Sequence, residues 1–129
     1  MVEKLSWDLL GKKEHPVLSA AYMHNDLVFT SGRVGVEADG SYSTCVLRQT
    51  ELAIKELEKV LEAAGSSLDC VLKVLLFIKN PEDREKINTI YAKYMKTKPA
   101  RSCVSVTFPD ARVLLELECV AVRKSKAKL

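Results

Sequence analysis

Histidine is nearly missing from this chain: His15 and His24 are the only two, and neither stands beside an evident serine or cysteine nucleophile. That weighs against a Ser-His-Asp or Cys-His catalytic pair, and both histidines are expected at the surface or in turns. Glycine is scarce too, and Gly32-Arg33-Val34-Gly35 lacks both the G-x-G-x-x-G spacing and the following helix of a phosphate cradle. Cys45, Cys70, Cys103 and Cys119 are far apart, with no C-x-x-C pair and no histidine close to them. Neither a metal site nor a disulfide framework is expected, and the thiols read as reduced small hydrophobes. The longest apolar run, residues 74–78, falls far short of the roughly 20 residues of a membrane-spanning helix. Aromatic residues make up only 6% and form no stacking platform, while the basic residues are dispersed or gathered in the tail 123–128, so nucleic acid is not an expected partner.

What is present suits a globular chain: 47% hydrophobic and 29% charged residues, with a formal net charge of +3. The length of 129 residues accommodates one domain, read as 1–129, with a solvated tail from about residue 124. The first residues carry Glu3 and Asp8 and no signal-peptide core, so the expected location is cytoplasmic, with mitochondrial and nuclear presence left open.

Residues 1–16 read as a short edge strand and a loop. Leu27-Val28-Phe29-Thr30-Ser31-Gly32, after the turn-prone Asn25-Asp26, reads as a buried strand, and Asp39-Gly40 as a turn. Over 44–64, Leu47, Ile54, Leu57, Leu61 and Ala64 recur at helical spacing, with Ser43 or Thr44 as the cap and Gly65 as the left-handed stop. Residues 71–78 predict a central strand buried on both faces. Asn80-Pro81-Glu82-Asp83 predicts a capped start to a second helix, carrying Ile87, Ile90, Tyr91 and Tyr94 and ending at Pro99. Two strands close the chain, 101–106 and 113–122, turned by Pro109-Asp110. The order gives an α+β layer with two helices on one face of a mixed sheet. The other face needs cover as well, and Leu114, Glu116, Glu118, Val120 and Val122 on the last strand suit a subunit interface with polar pockets.

Chemistry concentrates at Pro99-Ala100-Arg101-Ser102-Cys103-Val104, where a lone arginine leaves an apolar segment. A guanidinium fork matches a small carboxylate and stays charged at any working pH. The alternative is a structural ion pair between Arg101 and a nearby glutamate. Glu116 and Glu118 carry the same two readings: carboxylates that orient water or move a proton, or partners of Arg and Lys. Register decides between arrangements, since a one-residue slip puts Arg101 either with Glu116 and Glu118 or with Leu117 and Cys119.

Three blocks, Leu27 to Gly32, Pro99 to Val104, and Leu115-Glu116-Leu117-Glu118-Cys119-Val120-Ala121, resemble the reactive-intermediate deaminase family, also called RidA or YjgF-like, over residues 16–123. The resemblance implies a chorismate-mutase-like α+β fold, a homotrimer with a central barrel, and ligand pockets between subunits. It also implies hydrolysis of enamines and imines such as 2-aminoacrylate to a 2-keto acid and ammonia, with no metal or organic cofactor. In that reading Arg101 grips a substrate carboxylate and Glu116 positions water or shuttles the proton. The backbone near Gly32 and Cys103, with Ser31 and Asn88, lines the pocket. Two positions depart from the family pattern: Leu18 stands where a tyrosine is usual, and Arg33 replaces glutamine, setting a second cation near the pocket as a possible determinant of specificity. Alternative functions are a carboxylate-binding regulator that has lost turnover and, third, a translation inhibitor or RNA-cleaving protein.

Overall fold

The computed structural model describes residues 2–124. Its elements are β1 (Val2–Leu5), β2 (Ala21–His24), β3 (Leu27–Thr30), α1 (Val46–Ala63), β4 (Val71–Ile78), α2 (Arg84–Tyr94), β5 (Ala100–Ser105) and β6 (Leu115–Val122), with single 3-10 turns at Trp7–Leu10, Leu68–Cys70 and Pro81–Asp83. The strands form one sheet in the order β1-β2-β3-β6-β4-β5, antiparallel throughout except for the β4–β5 pair. The expected α+β architecture, a mixed sheet with two helices, is what forms.

Side-chain alternation explains the layering. β6 buries Leu115, Leu117, Cys119 and Ala121 and leaves every second residue half-exposed. Its buried row meets Val74, Leu76 and Ile78 of β4 and Val28 of β3, all at 2% exposure or less, against Ile54, Leu57 and Leu61 of α1 and Ile87 of α2. Among the described residues, no layer covers the opposite face. Phe29 is 45% exposed, Leu72 49% and Val104 44%, while Leu75 and Phe77 stay half-buried. β4 is therefore not buried on both faces as its composition suggested, because the two helices cover only one side, and a bulge between Val71 and Lys73 turns Leu72 outward.

Three further expectations change. The last two strands do not form a hairpin: β4 lies between them, since α2 returns β5 parallel on the outer edge of β4 while β6 takes the inner place beside β3. α1 begins at Val46, with the Ser43 hydroxyl accepting the Cys45 N–H at 3.0 Å rather than capping the helix. The second helix starts as a 3-10 turn in which Asn80 Nδ2 reaches Asp83 Oδ2, and it ends at Tyr94, well before Pro99. Gly65 does behave as predicted: at φ +83° it follows α1, with its N–H on the Glu62 carbonyl and the Ser66 N–H on that of Leu61. Strand β2 went unpredicted. It is four residues long and pairs with β3 across Asn25, which holds φ +54°.

The basic segment is not loose where it is described. Arg123 donates its backbone N–H to the Asp26 carbonyl at 2.7 Å and its Nη1 to Glu3, and Lys124 N–H meets the Gly65 carbonyl. Residues 125–129 of that tail lie outside the described residues. Among the cysteines, Cys119 is buried and Cys103 packs on the core, but Cys45 is exposed because it precedes the first turn of α1. Burial, with the charge of Glu118, pushes the Cys119 thiol up to about 12. A thiol reagent at pH 8 is expected to label Cys45 in the native protein and Cys119 only after unfolding; early labelling of Cys119 would contradict this burial.

Gln49 is the polar residue the helical pattern did not flag. Fully buried, it donates Nε2 to the carbonyls of Ser43 (2.7 Å) and Arg112 (2.9 Å) and accepts the Leu114 N–H (2.9 Å). It thereby ties the entry of α1 to the entry of β6. An unpaired buried group costs about 1–3 kcal/mol, so Gln49→Leu is expected to lose about 3 kcal/mol in urea unfolding. A loss under about 1 kcal/mol would mean that water replaces these bonds.

Candidate functional site

β4 transmits the register that the sequence left open. Val74 pairs with Arg101 on one side and Cys119 on the other, and Phe77 pairs with Val104 and Glu116. Paired residues share a face, so Arg101 and Cys103 lie on the helix face with Leu117 and Cys119, whereas Glu116 and Glu118 lie on the open face. Arg101 and Glu116 are also separated by about 10 Å across two strand spacings and by about 10 Å along them. One copy of the chain does not bring them together.

Two groups of residues result. The first is built on β5 and α2. Arg101 Nη1 donates to Asn88 Oδ1 at 2.8 Å, and its guanidinium carbon lies 4.7 Å from the centre of the Tyr91 ring. Asn88 and Tyr91 are three residues apart on α2, which puts both on the face that meets the strand. Cys103, two residues along β5, follows on the same face. Arg101 makes no ion pair among the described residues, so within one copy of the chain it has no Arg–Glu pair. Its partners are an amide and an aromatic ring, which leaves its charge uncompensated by a carboxylate. Tyr91 was legible only as an apolar stripe position. Its hydroxyl is buried; burial raises its pKa, and the neighbouring Arg101 charge partly opposes the rise.

The second group lies at the end of β3 on the open face. The Glu116 carboxylate occupies the space where Gly32 would carry a Cβ, so only glycine permits this approach. Burial pushes Glu116 above the usual carboxylate range, Glu118 adds to the rise, and the charge of Arg33 partly opposes it. Glu116 and Glu118 have no ion pair among the described residues. Ser31 donates its hydroxyl to the Ser19 carbonyl at 2.6 Å. It shares a cleft of about 500 Å³ with Leu18, Tyr22 and Phe29.

Leu18 is 44% exposed on that cleft, so an apolar side chain lines it. Arg33 departs from its expected place. It pairs across the sheet with Leu117 and turns to the helix face, where Nη2 meets Glu56 at 3.2 Å and the guanidinium lies 4.8 Å from the Trp7 ring centre. Its reach toward Glu116 is through space alone. Among the described residues no cluster of histidine, cysteine and acidic side chains could hold a metal ion, and no helix is long and apolar enough to cross a membrane.

Comparison with known proteins adds an independent line. The family model for endoribonuclease L-PSP matches residues 14–123. Protein HMF1 of Saccharomyces cerevisiae is 37% identical over 115 residues, covering 84% of this chain and 89% of that one. The chloroplastic Reactive Intermediate Deaminase A of Arabidopsis thaliana is 35% identical over 106 residues, 80% of this chain and 57% of that one. Among solved structures, E. coli TdcF with bound serine superposes with a TM-score of 0.83 at 28% identity, covering 95% of this chain and all of that one.

Proposed function

The chain belongs to the endoribonuclease L-PSP family, the YjgF/RidA group, and from that premise we propose that it hydrolyses small 2-imino acids and their enamine tautomers to 2-keto acids and ammonia. The observation that carries this reading is the uncompensated guanidinium of Arg101, held by Asn88 and Tyr91 and free of any carboxylate among the described residues. It grips the substrate carboxylate, with the backbone at Cys103 extending the cradle. TdcF's bound serine, itself a small amino acid, supports a ligand of this size and charge.

Glu116 supplies the proton chemistry. An enamine such as 2-aminoacrylate takes a proton at C3 to become the iminium ion. Water adds to its C=N carbon and gives one proton to Glu116, which passes it to nitrogen; the C–N bond then breaks and ammonia leaves while the remaining hydroxyl proton goes to Glu116 and the C=O bond forms. A carboxyl raised toward neutrality can carry out these transfers. Ser31 and Gly32 frame the same end of the site.

Because Arg101 and Glu116 stand on opposite faces of one sheet, the complete site joins the β5 edge of one copy to the open face of the next. The exposed Phe29, Leu72 and Val104 support an assembly that covers this face, in this reading a homotrimer. The test is ammonia release from freshly generated 2-aminoacrylate: rates above buffer support the proposal, and equal rates with and without protein remove it.

A second reading is favoured by Leu18, which puts an apolar side chain in the Ser31 cleft where a hydroxyl is usual in the family. It is a carboxylate-binding regulator without turnover. Calorimetric binding of 2-ketobutyrate in the absence of ammonia release would select it.

A further inference from the structure

We propose that a second, separate site lies on the outer side of α1, in the cleft between that helix and the segment 33–38, and that it binds a small multivalent oxyanion. The cleft encloses about 450 Å³, the size of a metabolite pocket. Its charge does not balance. Glu56 alone answers three cations, Lys12 at 2.9 Å, Arg33 at 3.2 Å and Lys59 at 3.5 Å. Lys55, on the same wall, has no ion pair among the described residues. Arg48 at the far end is already neutralised, since Glu37 accepts from both its Nε and Nη2 and Glu51 from its Nη1. Three cations therefore share one carboxylate, and a fourth, Lys55, lines the same cleft.

Arg33 is the anchor. Its side chain is only 15% exposed and lies against Trp7; among the described residues Nη2 has Glu56 as partner, and the buried Nε has none. A pre-positioned guanidinium beside flexible ammonium groups recognises phosphoryl or clustered carboxylate oxygens. Gly35 builds the floor: a Cβ there would meet the Gln49 carbonyl, so glycine lets the segment lie directly on α1. The cleft is on the helix side of the sheet, away from the open face and from Arg101, so its occupancy does not depend on the deaminase reading.

Calorimetric titration of the full chain at constant ionic strength, with inorganic pyrophosphate in one arm and citrate in the other, tests this. Saturable binding of one anion per chain is expected, the tighter arm identifying a phosphoryl or a carboxylate ligand. Lys55→Glu, an exposed substitution, and Arg33→Gln are each expected to weaken binding tenfold or more, while Arg101→Ala leaves it unchanged. Absence of saturable binding in both arms, an affinity that Lys55→Glu does not alter, or loss of binding in Arg101→Ala overturns the proposal.

Discussion

Replacing Arg101 by alanine is expected to lower kcat/KM for 2-iminopropionate by about 100- to 1000-fold, about 3–4 kcal/mol of transition-state binding. The size follows from losing a charge-assisted, two-pronged grip on a carboxylate that no other cation of the same group can replace. The fold has little stake in this side chain. Arg101 is half-exposed at the sheet edge, and its contacts are one amide and one ring face. Arg101→Lys keeps the charge and loses the fork, so it is expected to recover only part of the activity. Steady-state kinetics together with an unchanged thermal midpoint check the prediction; a drop in midpoint that accounts for the lost activity contradicts it.

Glu116→Gln is expected to cost a similar factor, carried by kcat rather than KM, because glutamine fills the same space over Gly32 but moves no proton. The pH profile separates this role from a structural one. Burial raises the Glu116 carboxyl above its ordinary range, so the active carboxylate form appears as pH rises through that raised value, and the acid limb of kcat lies above the usual carboxylate range. In Glu116→Gln that limb disappears. Stability runs the other way. A carboxyl raised by folding contributes at low pH and loses that contribution as pH rises through its folded value, so the neutral variant is expected to be no less stable at pH 7. A variant that keeps the wild-type limb would assign the proton transfer elsewhere.

The blocks flanking Arg101 and Glu116 were readable because proline, arginine and paired glutamates break apolar strands in a distinctive way. The α+β layering was readable too, from helical spacing over 44–64 and from the alternation in β6. Face assignment was not. It depended on which strand separates β5 from β6, a choice made by the α2 crossover, and nothing local to Arg101 or Glu116 encodes it. Arg33 misled for a related reason. Its neighbour Gly32 sits under Glu116 on the open face, while Arg33 itself bridges to Leu117 and turns toward Trp7 and Glu56. Gln49 escaped notice because a buried glutamine has no period of its own; its value lies in three backbone groups from distant segments.

Subunit mixing tests most directly the idea that the site is assembled from two copies. Arg101→Ala and Glu116→Gln proteins, each nearly inactive, are dissociated, combined in equal amounts and reassembled. In a cyclic trimer about three quarters of the assemblies are then mixed, each restoring one of three sites, so about a quarter of wild-type ammonia release is expected to return. If Arg101 and Glu116 instead serve one site within one chain, the mixture stays as inactive as its components.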